Sequence, residues 1–89
     1  MLEQEIVICN RLGLHARAAA KLVQLCGRYN SRVLLLCRGR EVNAQSILGV
    51  MMLAAGKGTA VIVRAEGSDE AEALPAIVAL FDRRFDEPD

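Results

Sequence analysis

The sequence predicts an α+β fold in which a four-stranded antiparallel sheet carries three helices on one face, in the chain order βαββαβα. Three observations point there: alternating polarity over residues 2 to 8, helical spacing of apolar residues from Ala16 onward, and a hairpin signal centred on Gly39. Amphipathic elements joined by short connections then pack most simply as helices on one side of a sheet.

Each element has its own warrant. Leu2, Ile6 and Ile8 fall on one face of the first segment and Glu3 and Glu5 on the other, which predicts a half-buried strand to about Cys9. From Ala16 the period changes. Ala19, Val23 and Cys26 recur at helical spacing with Leu22 beside them, while Arg17, Lys21, Gln24 and Arg28 occupy the opposite stripe, so an amphipathic helix ends near Gly27. Arg32 to Arg38, enclosing Val33 to Cys37, and Arg40 to Asn43 flank Gly39 as the two arms of a hairpin. Ser46 is placed to cap a short helix from Ile47 to about Leu53. After Gly56-Lys57-Gly58-Thr59, the run Ala60 to Ala65 reads as a fourth strand. Ser68 is placed to cap a last helix, with Asp69, Glu70 and Glu72 at its positive end and Arg83 and Arg84 at its negative end. Leu74, Ile77, Val78, Phe81 and Phe85 form its core stripe. Pro75 predicts a kink there, or a late start, because proline removes a backbone hydrogen bond and crowds the preceding turn.

Composition excludes several classes of function. Eighty-nine residues make one small domain, 1–89. Although 53% of residues are hydrophobic, no apolar run approaches the roughly 18 to 20 residues that cross a bilayer, so no membrane insertion is expected. The start, Met1 to Glu5, is acidic where a secretory signal is basic, and a cytoplasmic protein is expected. Cys9, Cys26 and Cys37 are an odd number without a close pair, which argues against a disulfide framework and against a zinc knuckle. No metal and no cofactor are expected. Eleven basic and eleven acidic residues cancel, and the only aromatics are Tyr29, Phe81 and Phe85, so the charge and stacking surfaces of a nucleic-acid binder are missing.

The chemistry concentrates on the single histidine. His15 lies in Gly13-Leu14-His15-Ala16-Arg17, where a loop turns into a helix. A helix start offers unpaired backbone N–H groups that can hold an anion, and a neutral imidazole is suited to accepting a group near neutral pH. A phosphoryl group on His15 would meet the N–H groups of Ala16 and Arg17, and the Arg17 guanidinium could bind it through more than one N–H. Taken alone, a lone histidine is more often a cap or a surface residue, and Arg17 more often a solvated first-turn arginine.

The surrounding motifs change that balance. Gly13-Leu14-His15-Ala16-Arg17, followed by Asn43-Ala44-Gln45-Ser46-Ile47-Leu48-Gly49-Val50-Met51, resembles the HPr family, the histidine-containing phosphocarriers of the bacterial phosphoenolpyruvate-dependent phosphotransferase system. Length, motif order and spacing agree over essentially the whole chain. The resemblance implies an HPr-like open-faced sandwich and His15 and Arg17 as the catalytic pair, with Nδ1 as the attachment point; the sequence alone cannot choose between the two ring nitrogens. It further implies phosphoryl transfer from enzyme I to His15 and onward to enzyme IIA proteins for sugar uptake. Such a carrier acts with partner enzymes and is not self-contained. One departure stands out: the family usually reads Arg-Pro-Ala where this chain has Arg17-Ala18-Ala19, which predicts a slightly looser helix start.

Ile47, Leu48, Val50, Met51, Met52 and Leu53 are too many apolar residues for one short helix to bury, so part of this helix is expected to form an exposed patch. The resemblance implies that it and the first helix frame the histidine in one docking face for donor and acceptors, with Ala20, Lys21, Gln24, Ile47, Leu48 and Met51 as contact candidates. Arg17, Lys21 and Arg28 form a basic stripe, either a plain solvated face or a device steering acidic partners. Ser46 is a helix cap in any case. In some family members the matching serine is phosphorylated by a dedicated kinase, so Ser46 is also a candidate regulatory site, with HPr kinase/phosphorylase as a candidate partner. A monomer is the simplest state for a carrier that exposes one face to successive partners. Three other readings remain open: the nitrogen-related regulatory branch of the same system, a protein-binding module whose His15 transfers nothing, and a small nucleic-acid-binding domain.

Overall fold

Alternation along the strands decides which side of the sheet is covered. The computed structural model describes residues 1–87. Its elements are β1 (Leu2–Val7), α1 (Ala16–Cys26), β2 (Ser31–Cys37), β3 (Arg40–Asn43), α2 (Ile47–Met52), β4 (Ala60–Gly67) and α3 (Glu70–Asp82), followed by a tight turn at Arg84–Asp86. The strands lie in the order β1-β4-β2-β3, every neighbouring pair antiparallel. Ile6 faces Val61, and Leu35 lies between Val63 and Val42, so one face presents a continuous apolar surface. Ile6, Val33, Leu35, Val61, Val63 and Ala65 are buried on that face with Ala18, Ala19, Leu22 and Cys26 of α1 and Ile77 and Phe81 of α3. The opposite face is open. There Arg64 pairs with Glu3 and with Glu41 at 3.6 Å, a polar cross-strand network over half-buried Leu34, Leu36 and Ile62.

Most expected boundaries hold within two residues, and the differences have physical causes. Strand pairing in β1 stops at Val7, but Ile8 continues the connection through bonds with Thr59 (3.0 Å) and Gly58 (2.7 Å). Leu2, expected on the core face, is exposed because it sits at the outer end of an edge strand. In α1 the buried stripe takes Ala18 rather than Val23, which is half-buried. Despite alanine in place of the family's proline, α1 begins at Ala16 with the Ala19 N–H bonded to the His15 carbonyl at 2.9 Å.

The last helix departs most from expectation. Its N-cap is Asp69 rather than Ser68, and the Asp69 side chain does not cap it. Instead it accepts the Asn30 N–H at 2.8 Å and the Ser31 hydroxyl, tying the entry of β2 to the entry of α3. These hydrogen bonds, Ser31's first, outweigh desolvation and hold the Asp69 carboxyl below its usual range. Pro75 lies inside the helix, which runs without interruption from Glu70 to Asp82. The carbonyl that loses its partner is that of Ala71, and both Ala71 and Pro75 are exposed, so water can satisfy it. Phe85 is not on α3 but in the turn after it, still fully buried and edge-on to Phe81 with ring centroids 4.9 Å apart.

Cys9, Cys26 and Cys37 are free thiols. Burial pushes the Cys26 thiol up to about 12, against a smaller opposing backbone hydrogen bond, which keeps it protonated and inert. No helix of the described residues is long and apolar enough to cross a membrane.

Candidate functional site

The loop before α1 is held so tightly that His15 has little freedom in where it starts the helix. Gly13 is buried with φ +66, and a Cβ there would lie 2.4 Å from the Ala55 carbonyl oxygen and 2.8 Å from the Gly56 Cα. Only glycine accommodates both the left-handed backbone and that approach. Leu14 is buried, and its N–H donates to the same Ala55 carbonyl at 3.0 Å. The loop is therefore fastened to the chain just past α2. Asn10, fully buried, braces it from the other side by donating to the Gly13 carbonyl at 2.8 Å.

His15 is the N-cap of α1, with extended backbone (φ −75, ψ 177), and its Nδ1 accepts the Arg17 N–H at 3.3 Å. The Ala16 N–H has no hydrogen-bond partner among the described residues. The Arg17 side chain is exposed and likewise makes no hydrogen bond or ion pair there. The expected pair of open backbone donors is thus half realised: Ala16 is open, while the Arg17 N–H is occupied by the imidazole itself.

The other ring nitrogen, Nε2, lies in close contact with the Glu87 carboxylate. Because Nδ1 accepts from a backbone N–H it is the unprotonated nitrogen, so the ring proton is assigned to Nε2, which donates to the Glu87 carboxylate. The second Glu87 oxygen accepts from Asn10 Nδ2 at 2.9 Å. Burial acts to raise the Glu87 carboxyl, but hydrogen bonds from Asn10 and His15 and attraction to His15 and Lys21 outweigh it, so the group titrates below its usual range. Lys21 donates from Nζ to the Phe85 carbonyl at 2.6 Å. Of the expected basic stripe, Lys21 is therefore committed to the carboxy-terminal turn, whereas Arg17 and Arg28 stay exposed.

Neither Glu87 nor Asn10 was foreseen from the sequence. Glu87 lies 72 residues from His15 and reaches it only because the chain reverses after α3. No periodicity or motif spacing carries such a contact; the short acidic end, Asp86-Glu87, was the one available hint.

The α2 residues behave as their number predicted. Val50 is buried, while Ile47, Leu48, Met51 and Met52 are exposed, Leu48 to 73%. Exposed Leu12, in the loop before His15, was missed. On α1, Gln24 is exposed and Ala20 half-buried. Ser46 caps α2, accepting the Gly49 N–H at 3.1 Å, and its side chain remains at the surface. A groove of about 520 Å³ lies away from all of these, between the β2–β3 hairpin and β4, lined by Leu36, Arg38, Arg40, Thr59 and Ile62. Among the described residues, no group of three or more His, Cys, Asp or Glu could hold a metal ion. The arrangement is a surface imidazole with a directed lone pair, a nearby cation and an open anion-accepting N–H.

Residues 2–83 match the family model described as "PTS HPr component phosphorylation site". The chain is 54% identical over 87 residues to the phosphocarrier protein HPr of Xylella fastidiosa (strain 9a5c), covering 98% of each. It is also similar to the phosphocarrier protein NPr of Shewanella violacea, 42% identical over 86 residues, covering 97% of this chain and 94% of that one. Its fold superposes on the crystal structure of HPr-C-His from Thermoanaerobacter tengcongensis with a TM-score of 0.93 at 42% identity, covering 98% of both chains.

Proposed function

This chain belongs to the HPr family of phosphotransferase-system phosphocarriers, and from that premise we propose that His15 Nδ1 is the atom that carries the phosphoryl group. The observation that carries the reading is the Nδ1 lone pair, held at the N-terminus of α1 by the Arg17 N–H. The donor is enzyme I and the acceptors are enzyme IIA proteins. Residues 1–89 act as one carrier domain, monomeric and cytoplasmic, that presents the same face to each partner in turn.

In the proposed step, the Nδ1 lone pair forms the N–P bond while the bond from phosphorus to the donor breaks and its electron pair leaves with the donor. Phosphorylated Nδ1 no longer accepts a hydrogen bond. The Arg17 N–H is thereby released and, with the open Ala16 N–H, donates to phosphoryl oxygens at the positive end of α1. The Arg17 guanidinium adds charge-assisted bonds. Phosphoryl transfer relies mainly on positioning and electrostatics, which these groups supply; the remaining catalytic groups belong to the partner.

Docking is assigned to Ile47, Leu48 and Met51 with Ala20, Lys21 and Gln24 at the margin. Ser46 serves foremost as the α2 cap; a phosphate on its exposed hydroxyl would add about −1.5 to −2 charges beside the docking face and weaken binding to an acidic partner. A second reading, the nitrogen-related branch, is favoured by the similarity to the Shewanella violacea NPr. It shares the His15 chemistry and differs in the acceptor.

The test is intact mass after incubation with phosphoenolpyruvate and enzyme I, for the native chain and His15→Ala. One acid-labile phosphoryl group on the native chain and none on the variant is expected; uptake by the variant sinks the assignment. Supplying sugar-branch and nitrogen-branch enzyme IIA proteins separately then decides the branch.

A further inference from the structure

The carboxy-terminal turn holds an unusual conformation for a visible purpose. Arg84, Phe85 and Asp86 have consecutive left-handed backbones, with φ of 58, 56 and 61. None is glycine, and each such residue is disfavoured by contact of its Cβ with the following carbonyl. The turn persists because Phe85 is fully buried against Phe81 and Lys21 holds the Phe85 carbonyl. Arg83 closes it by pairing with Asp86 at 3.0 Å. Its outcome is the placement of the next residue: Glu87 is returned over the start of α1, and its side chain is only 10% exposed between Asn10 and His15. Strain kept in place by several independent contacts, with a carboxylate delivered to a reactive ring, marks a positioning device.

We propose that Glu87 is a positioning residue for His15: clamped by Asn10, its carboxylate accepts the Nε2–H, fixes the ring in the tautomer that leaves Nδ1 free to attack, and offsets the positive charge the ring gains when Nδ1 bonds to phosphorus. The proposal rests on the reading of His15 as the phosphoryl carrier. No proton need leave the ring during transfer. The Nε2–H stays hydrogen-bonded to Glu87 while the N–P bond forms and the donor departs with its electron pair. The reverse transfer is served by the same contact, since ring and carboxylate return to their starting charges when the acceptor takes the group. A carboxylate behind a reacting imidazole fixes tautomer and orientation and stabilises the cationic ring, as in hydrolytic triads. Here His15 is partly solvated, with 26% of its side chain exposed, so the effect is far smaller than in a buried triad.

The experiment has two readouts. Two-bond proton–nitrogen correlation on ¹⁵N-labelled chain reads the His15 tautomer without any partner present. The native ring is expected to be predominantly Nε2-protonated, and Glu87→Ala is expected to show exchange between tautomers. With enzyme I and phosphoenolpyruvate, Glu87→Ala should lower kcat/KM for phosphoryl acceptance about tenfold, the scale of losing one charge-assisted hydrogen bond. A chain ending at Asp86 should repeat both results, while Asp82→Ala, which removes an exposed carboxylate whose side chain takes no part in the turn, should leave both unchanged. Identical tautomer populations in the native chain and Glu87→Ala, unchanged kcat/KM, or an equal loss in Asp82→Ala would each overturn the proposal. His15→Ala run alongside keeps the two claims apart. Phosphorylation of that variant removes the carrier reading itself, whereas normal dependence on His15 with no effect at Glu87 removes only the positioning role.

Discussion

Replacing Gly13 by alanine tests whether the loop that sets His15 is as tightly held as its geometry implies. The new Cβ must adopt φ +66 and would start 2.4 Å from the Ala55 carbonyl oxygen and 2.8 Å from the Gly56 Cα. The left-handed backbone costs about 1 kcal/mol for a residue with a Cβ. Forcing an atom into a backbone that cannot rotate away adds about 1–3 kcal/mol. Any retreat of the loop also endangers the Leu14 N–H bond to Ala55, 3.0 Å long, which contributes about 1 kcal/mol. Together these give a loss of roughly 3–5 kcal/mol. Gly39 supplies the control, since it has φ +79 and a Cβ added there would meet no atom within 4 Å; alanine there should cost only the backbone share, about 1 kcal/mol. Urea unfolding of the two variants beside the native chain measures the difference directly, because the backbone contribution is common to both. Equal destabilisation at the two sites, or less than about 0.5 kcal/mol at Gly13 (the usual range for an inconsequential surface change), would refute the close-approach argument.

Other expectations follow from the same structure. The Asp69 carboxyl is held below its ordinary value of 3.8 by bonds from Ser31 and Asn30, so its contribution is fully present above the unfolded-state pKa and is lost as pH falls through the folded-state value. Thermal unfolding of Asp69→Asn should therefore lie below that of the native chain at neutral pH and converge with it in strong acid; a constant gap at all pH values would contradict this. Ser46→Ala should destabilise α2 by about 1 kcal/mol through loss of the Gly49 cap, read as faster amide exchange over residues 49–52. Leu48→Lys, at a position 73% exposed, should raise KM for enzyme I by roughly 5- to 30-fold without lowering the unfolding midpoint. A fall in the midpoint would mean that Leu48 is part of the core rather than a docking surface.

Local pattern made most of the fold legible. Period-two alternation located β1, helical spacing located α1, and the residues around Gly39 located the hairpin, because these elements bury one face and the burial is written into residues close in sequence. The placement of His15 and Arg17 at the start of α1 was legible for the same reason. What stayed hidden depends on distant partners. Ser68 and Asp69 are equally good caps by residue type; the choice is made by Asn30 and Ser31, which draw the Asp69 side chain away from the helix. The helix tolerates Pro75 on a side where both Pro75 and Ala71, whose carbonyl loses its partner, are exposed, a fact about orientation rather than composition. Glu87 was invisible because three non-glycine residues adopt left-handed backbones to deliver it, and nothing in Arg84-Phe85-Asp86 announces that conformation.

The central claim is that this chain carries its phosphoryl group on Nδ1 of His15, and the measurement that tests it most directly is ³¹P and ¹⁵N magnetic resonance of the chain phosphorylated through enzyme I. The account predicts a single phosphohistidine signal whose phosphorus couples to Nδ1, with Nε2 still bearing its proton. Phosphorus coupled to Nε2, or a phosphoryl group on any residue other than His15, would contradict it.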